Sequence, residues 1–287
     1  MNQQITIGII GFGVLGKAIY SVLKKRNKFI IYDKYISGPQ QNGAEITPLA
    51  TNILKADLIF LCLPTPSLRK TNNSEKIGYD LSALEEWCQF LRKQCYKGIV
   101  VVKSTTMIGD CDNLGQDLDL IHNPEFLTAR TATEDFKNQK QIIIGKKIGG
   151  KEESIMLLTD YYNFNFPQAE IIVCSAKESE AMKVFVNNFY AMKLQIFNEF
   201  YDLCQRDGLD YKIIRDMMLG NGWINPMHTQ VPGPDGKLSY GGGCFPKDTE
   251  ALFQYMCSRQ SLSGVLGACI AERNSMRIND NENHEAK

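Results

Sequence analysis

Ile5-Thr6-Ile7-Gly8-Ile9-Ile10-Gly11-Phe12-Gly13-Val14-Leu15-Gly16 lies near the start of the chain, and its reading decides the fold. Ile5–Ile10 is rich in isoleucine and reads as a buried strand. Glycines at 11, 13 and 16 follow at once, residues 17–25 read as a helix, and Phe29–Tyr32 is a second strand ending at Asp33. In such a βαβ unit the glycines give a tight turn, backbone access for a pyrophosphate and close helix–strand packing. The helix start offers N–H groups and a positive dipole end to phosphate. Asp33 stands 22 residues after Gly11, where a carboxylate holds a ribose 2′-hydroxyl and repels a 2′-phosphate. NAD is favoured over NADP, and Lys34 weakens that preference a little. The expected dinucleotide contacts here are Gly11, Phe12, Gly13, Val14, Leu15, Gly16, Asp33 and Lys34.

The alternation continues outward. Leu58–Leu63 is an apolar strand running into Pro64-Thr65-Pro66, and Asp80 reads as the N-cap of a helix over Leu81–Gln94. Ile99–Val102 ends in Lys103-Ser104-Thr105-Thr106, and Leu118–Ile121 leads to Asn123-Pro124-Glu125-Phe126-Leu127. Gln141–Ile144 and Glu170–Cys174 supply two more strands. The class is α/β: a Rossmann-like, doubly wound, mostly parallel sheet over residues 1–176. Ligands of such sheets sit at the carboxyl ends of strands. Leu63, Pro64, Thr65, Ser104, Thr105 and Glu125 fall at such ends. Ser67–Gly78 is polar and reads as a solvated loop.

From about Lys177 the pattern changes to a helical region, 177–278, with a polar tail at 279–287. Glu178–Arg206 contains no Gly or Pro and reads as one helix of about 43 Å. It is apolar nearly all round, which predicts burial on several sides, between domains or between subunits. Lys183 and Asn187 interrupt the apolar pattern on one face, at i and i+4, and need polar partners if buried. A short helix over Tyr211–Leu219 precedes a long irregular segment, 221–243. That segment runs into Tyr240-Gly241-Gly242-Gly243-Cys244-Phe245-Pro246-Lys247-Asp248. Glycines let backbone approach a ligand, and a thiol presented there can reach a substrate carbon. A free thiol titrates near ~8.5 and needs help to ionise at neutral pH. Lys247 is the candidate helper, since a cation ~4 Å away is worth roughly 4 kcal/mol at an effective dielectric of ~20. The alternative is a buried structural cysteine beside a turn. Asp248 is placed to cap a helix over Thr249–Arg259, and a last helix spans about 262–277.

Composition narrows the function. Apolar residues make up 44% of the 287, enough for a substantial core, and 32 basic residues balance 32 acidic ones. That balance gives no reason to expect nucleic acid or an anionic membrane as partner. Nine cysteines never take a zinc-pair spacing and the three histidines are dispersed, so no metal site is expected. Unpaired thiols, an amino terminus unlike a signal peptide and the lack of a membrane-length apolar run point to the cytoplasm.

Taken together, Gly11–Gly16, Leu63-Pro64-Thr65-Pro66, Lys103-Ser104-Thr105, Asn123–Leu127, Lys183 with Asn187, Asn198-Glu199 and Gly241–Asp248 resemble the UDP-glucose/GDP-mannose dehydrogenase family over about residues 5–253. The resemblance implies oxidation of a sugar C6 alcohol to a carboxylate with two NAD per turnover, on a nucleotide sugar with UDP-glucose favoured. It implies that Lys183, Asp248 and an ordered water handle the hydroxyl proton. Cys244 carries the thiohemiacetal and thioester, Glu125 is the hydrolytic base, Thr105 places the water, and Asn187 holds the oxyanion or sugar. Glu125, Phe126, Leu127, Lys183, Asn187, Tyr240 and Gly241 would line the substrate, and the long helix would be the core of a homodimer.

The sequence departs from the family in three places. The family's further nucleotide-gripping domain would begin where this chain stops, which leaves the 231–237 loop as a candidate for that task. Ala129 stands where an acidic residue is common. The family's inter-subunit arginine has no counterpart, and His228 falls near its place. Two rival readings stay open: a β-hydroxyacid dehydrogenase-like single oxidation, which has no use for a nucleophilic cysteine, and a non-catalytic NAD-binding subunit that needs a partner chain.

Overall fold

The computed structural model describes residues 5–68 and 77–277. Most of the expected solvated loop and all of the polar tail lie outside the described residues. Chain contacts separate two compact units. The first takes residues up to Thr65 and Asp80–Lys183; the second takes the described part of Pro66–Tyr79 and Val184 onward.

The first unit is built on one sheet. In chain order it contains β1 (Thr6–Ile10), α1 (Val14–Leu23), β2 (Lys28–Tyr32), β3 (Gly38–Pro39), β4 (Glu45–Ile46), a 3-10 turn (Ala50–Lys55) and β5 (Leu58–Leu61). After these come α2 (Ser82–Lys93), β6 (Ile99–Val102), α3 (Asp110–Gly115), β7 (Asp119–His122), α4 (Ala132–Lys137), β8 (Gln141–Lys146), α5 (Glu152–Asn165) and β9 (Glu170–Ser175). The nine strands lie in the order β3-β4-β2-β1-β5-β6-β7-β8-β9. All neighbours pair in parallel except β3 with β4 and β7 with β8. Every residue of β5 and β6 is buried, as expected for central strands covered on both faces. One apolar cluster, with Ile9, Phe60 and Val101, fills one side of the sheet. Another, with Ile59, Leu84 and Val100, fills the other. The chain order reverses beside β1, between β2 and β5. In doubly wound sheets that switch point is where a dinucleotide binds.

The second unit is helical. It holds most of α6 (Ala176–Arg206), then α7 (Tyr211–Gly220), α8 (Phe245–Ser258) and α9 (Gly264–Met276). The long helix forms as expected, over 31 residues. Its polar burial is the feature that places the reactive segment. Asn198 Oδ1 accepts the Ser239 N–H at 2.7 Å and Gln195 Oε1 accepts the Ser239 hydroxyl at 2.5 Å. From the other side, Arg277 donates to the carbonyls of Leu238 (2.6 Å) and Ser239 (2.9 Å), and Arg273 to that of Tyr240 (3.3 Å). The irregular chain just before Cys244 is thereby held by side chains of α6 and α9.

Two helix starts differ from expectation. Helix α2 begins at Ser82, with Leu81 at the N-cap position, and the Asp80 carboxylate accepts the N–H of that first residue at 2.9 Å. Helix α8 begins at Phe245, so Asp248 lies inside its first turn and Cys244 takes the N-cap position. Pro246, with φ already set for a helix and no N–H to lose, suits that earlier start.

Candidate active site

In the first unit the glycine loop sits at the carboxyl end of β1. Gly11 has φ +92°, and a Cβ there would stand 2.3 Å from the Cys62 carbonyl oxygen. A Cβ on Gly16 would stand 2.2 Å from the Gly11 carbonyl oxygen. Both positions need glycine for the turn and for helix–strand packing. A Cβ on Gly13 would meet nothing within 4 Å, so that backbone faces open space. Gly13 is also the N-cap of α1, without a side-chain cap and with no acidic residue in the first turn. An open glycine backbone and an uncapped helix start fit a pyrophosphate. Asp33 accepts the Phe12 N–H at 2.7 Å and the Tyr35 N–H at 2.9 Å, which brings its carboxylate to the loop. The Phe12 ring is buried, so this residue offers only backbone to a cofactor, and Leu15 is partly buried against the same cluster. Val14 is exposed, and Lys34 pairs with Glu86 at 3.5 Å.

The ends of β5 and β6 are tied together. Ser104 Oγ accepts the Leu63 N–H at 3.0 Å and donates to the Leu63 carbonyl at 2.7 Å. The Thr65 hydroxyl donates to the Thr105 carbonyl at 2.7 Å. Pro64 is exposed beside them. The loop after Thr105 is clamped by Glu180, a fully buried residue of α6. Its carboxylate accepts from the Thr106 hydroxyl (3.0 Å), the Gly109 N–H (2.7 Å) and the Cys111 N–H (2.8 Å). Burial pushes its pKa up to about 7, against the opposing pull of those hydrogen bonds.

Three residues further along α6, Lys183 is 4% exposed. Its ammonium donates to Glu125 twice, to the carbonyl at 2.5 Å and to Oε1 at 3.2 Å, and lies 5.1 Å from the centre of the Phe126 ring. Glu125 Oε2 accepts the Leu127 N–H at 2.6 Å. Behind this pair Asn123 is fixed by three partners. Its Oδ1 accepts from the Lys103 ammonium (2.8 Å) and the Tyr162 hydroxyl (2.5 Å), and its amide donates to the Ile143 carbonyl (2.6 Å). Burial pushes the Lys103 ammonium down to about 8 and His122 down to about 3, so this imidazole is neutral near pH 7. His122 Nδ1 is 2.8 Å from Ser179 Oγ.

In the second unit Cys244 is exposed at the start of α8, and none of the nine cysteines forms a disulfide. One turn on, the Asp248 carboxylate is 0% exposed and fully engaged. Oδ2 accepts from Asn187 Nδ2 at 2.6 Å; Oδ1 accepts from the Lys247 ammonium at 2.5 Å and the Tyr79 hydroxyl at 2.7 Å. Asn188 donates to the Asp248 carbonyl at 3.1 Å, a second brace from α6. Lys247, expected to serve the thiol, is thus also the counter-ion of Asp248. Tyr240, expected to line the substrate, is 1% exposed and packs with Ala191 and Cys269. Its hydroxyl lies 3.4 Å from Thr249 Oγ1, so the ring points into the helices and away from a substrate. A Cβ on Gly241 would stand 2.3 Å from Arg277 Nη1, so this glycine makes room for a guanidinium. In the 231–237 loop Asp235 pairs with Arg277 at 2.8 Å. His228 stacks on Tyr190 at 4.5 Å between ring centroids and meets Phe245 edge-on at 5.6 Å.

Tyr79, Asn188, Glu180, Arg273 and Arg277 were not legible as site residues. Only Glu180 carried a signal, as a carboxylate on a largely apolar helix. Among the described residues no group of His, Cys, Asp and Glu could hold a metal ion. None of the described helices is long and apolar enough to cross a membrane.

Residues 39–163 match the NAD binding domain, and residues 177–274 the central domain, of the UDP-glucose/GDP-mannose dehydrogenase family. The chain belongs to that family. NAD is the cofactor assigned to the first unit by this membership. The UDP-glucose 6-dehydrogenase of Rickettsia prowazekii is 31% identical over 68% of this chain and 44% of its own length. The chain spans about half the length of the curated relatives it matches. Among solved structures, a UDP-glucose dehydrogenase from Pyrobaculum islandicum aligns with a TM-score of 0.77 at 22% identity, over 95% of this chain and 68% of that one. A Mycobacterium tuberculosis 3-hydroxyisobutyrate dehydrogenase aligns with a TM-score of 0.71 at 16% identity, over 97% of this chain and 95% of that one. At these identities the two structures establish the shared fold and nothing narrower.

Proposed function

We propose that this family member is an NAD-dependent nucleotide-sugar 6-dehydrogenase, with UDP-glucose as substrate. UDP-glucose, two NAD and water would give UDP-glucuronate, two NADH and protons, through a covalent intermediate on Cys244. The observation that carries the reading is the first turn of α8. It presents an exposed thiol one turn before a buried carboxylate held by Asn187 and Lys247. A single oxidation of an alcohol has no use for that thiol.

NAD, when bound, supplies the acceptor for hydride from C6 in both oxidations. Gly11, Gly13 and Gly16 would admit its pyrophosphate and Asp33 its ribose. The C6 hydroxyl proton would pass to a water placed by Lys183 and Asp248, and the Lys183 ammonium would stabilise the oxyanion that develops. Lys183 and Asn187 share one face of α6 by helix geometry, which supports their acting on one group. The thiolate of Cys244 would attack the aldehyde carbon to give a thiohemiacetal, whose oxidation leaves a thioester. Glu125 would deprotonate the water that cleaves the thioester, with Thr105 placing that water, and Cys244 would leave as the thiolate. Phe126, exposed beside the Lys183 ammonium, would face the sugar.

A homodimer is part of the same reading. Phe185, Phe189, Ile196, Phe200 and Leu203 recur at spacings of three, four and seven along α6 and are exposed. That spacing puts them on one side of the helix as an apolar stripe. A second copy of the helix would cover it.

The test is NADH formation with NAD and limiting UDP-glucose, on wild type and Cys244→Ser. Two NADH per sugar in wild type, with turnover failing in the variant, is the expected result. One NADH per sugar, indifferent to Cys244, would mean the single-oxidation chemistry of the hydroxyacid dehydrogenase type. NAD binding without turnover on any nucleotide sugar would mean a cofactor-binding subunit.

A further inference from the structure

We propose that Lys103 is a fixed cation on the nicotinamide side of the cofactor site, one that makes the first unit prefer NADH to NAD and so favours hydride acceptance. The proposal rests on NAD as the cofactor of this unit and is independent of which sugar is oxidised.

The placement follows from the sheet. A dinucleotide lies across the switch point, with one half on each side. Asp33, just after β2, marks the adenosine side, and the open Gly13 backbone marks the pyrophosphate. The nicotinamide half therefore falls toward the carboxyl ends of β5, β6 and β7. Lys103 is the first residue after β6 and is 3% exposed. Its ammonium donates to Asn123 Oδ1 at 2.8 Å and lies 5.9 Å from the centre of the Phe136 ring. Asn123 is held in turn by the Tyr162 hydroxyl, by the Ile143 carbonyl, and through its own N–H by the Val102 carbonyl at 2.8 Å. The acceptor is thus an amide in a fixed position, and that contact leaves the ammonium un-neutralised. Burying a charge in this way is unfavourable, and such charges gather where a ligand makes use of them.

The groups that face Lys103 leave its charge standing. After β5 the Cys62 thiol is neutral, because burial pushes it up to about 12. At the end of β7 the His122 imidazole is neutral near pH 7, and on α5 burial keeps the Tyr162 phenol protonated. Glu125 and Lys183 are the charged neighbours, one of each sign and paired with each other at 3.2 Å. Helix α4 brings the Phe136 ring and β8 the Ile143 carbonyl. An oxidised nicotinamide ring carries one positive charge and a reduced ring none, so a buried cation nearby raises the free energy of the oxidised form alone. By linkage, the factor by which Lys103 favours NADH in binding is the factor by which it favours hydride acceptance on the protein.

Calorimetric titration with NAD and with NADH, without any sugar and across a pH series, reads this charge directly. In wild type the ratio of the Kd for NAD to the Kd for NADH should fall as pH rises through about 8, where Lys103 gives up its proton. Lys103→Met should lower the ratio about threefold or more at neutral pH and make it independent of pH. Lys103→Arg keeps the cation throughout, so its ratio should stay high where that of wild type has fallen. That comparison stands even where the neutral variant fails to fold. A merely structural lysine would weaken both cofactors by one factor and leave the ratio in place. An unmoved ratio in folded Lys103→Met, or a fall with pH that persists in Lys103→Arg, overturns the proposal. Binding of neither cofactor overturns it together with the cofactor assignment. NADH stoichiometry with a sugar tests the nucleotide-sugar reading separately, so that reading can fail alone.

Discussion

Glu180 shows what one buried carboxylate can do to a loop. It takes three donors from the chain that follows Thr105, and its pKa is pushed up to about 7 chiefly by burial. A carboxyl whose native pKa is raised binds its proton more tightly when folded. Its contribution to stability is fully present below the ordinary glutamate pKa and is lost as pH rises through about 7. Wild-type Tm should therefore fall relative to that of Glu180→Gln between about pH 5 and about pH 8, whatever the two starting values. Parallel curves for the two proteins would show that Glu180 does not titrate in this range. Lys183 and Glu125 make the complementary case. Removing Lys183 leaves the half-buried Glu125 carboxylate without its charged donor, at a cost of about 1–3 kcal/mol. Lys183→Met should therefore lower stability as well as abolish turnover, and chemical denaturation would separate the two effects. Neither contact could be read from the chain alone. Spacing shows which residues share a helix face, and it is silent about what comes to meet them.

At the scale of elements, much was legible because the physics is local. A β-branched run, three glycines, a helix and an acid at the next strand end specify the first βαβ unit, and the structure places each in turn. The strands after it fall within a few residues of their expected bounds. The short strands β3 and β4 at one side of the sheet escaped notice, since two residues carry no period. The start of α8 was misplaced because Asp248 looked like a cap, while Pro246 had already set the helix going. The glycines of α1 make a prediction at this scale. Gly13→Ala puts a methyl into open space and should leave Tm unchanged, yet weaken NAD binding at least ~10-fold by intruding on the phosphate approach. Gly16→Ala drives a methyl into the Gly11 carbonyl and should lower Tm itself. Calorimetric titration with NAD, alongside thermal unfolding of both variants, would distinguish them; equal loss of Tm would refute the assignment of Gly13.

For the whole molecule, the sequence foresaw a sheet followed by helices, and the pattern of α6 predicted burial between domains or between subunits without choosing one. Five large apolar side chains of that helix remain exposed in the single chain. A sequence cannot distinguish an apolar face buried by its own chain from one waiting for another copy. If a second copy covers them, each buried side chain contributes about 1.5–3 kcal/mol before the costs of association. Phe189→Asp with Phe200→Asp should then convert a dimer to a monomer in sedimentation, with secondary structure retained. A wild type that sediments as a monomer would refute the dimer. The balanced charge of the chain, 32 basic against 32 acidic residues, means that long-range repulsion does not oppose such pairing.

The Arg277 guanidinium occupies the volume that a side chain at 241 would need. The two positions are consequently one heritable character. A lineage that replaced the glycine would have to shorten the arginine in the same step or shortly after, and one that lost the arginine would free position 241 to drift. Across natural variants a side chain at 241 should be found chiefly where 277 is no longer arginine, so the record of their co-variation would date the moment when this loop acquired its staple.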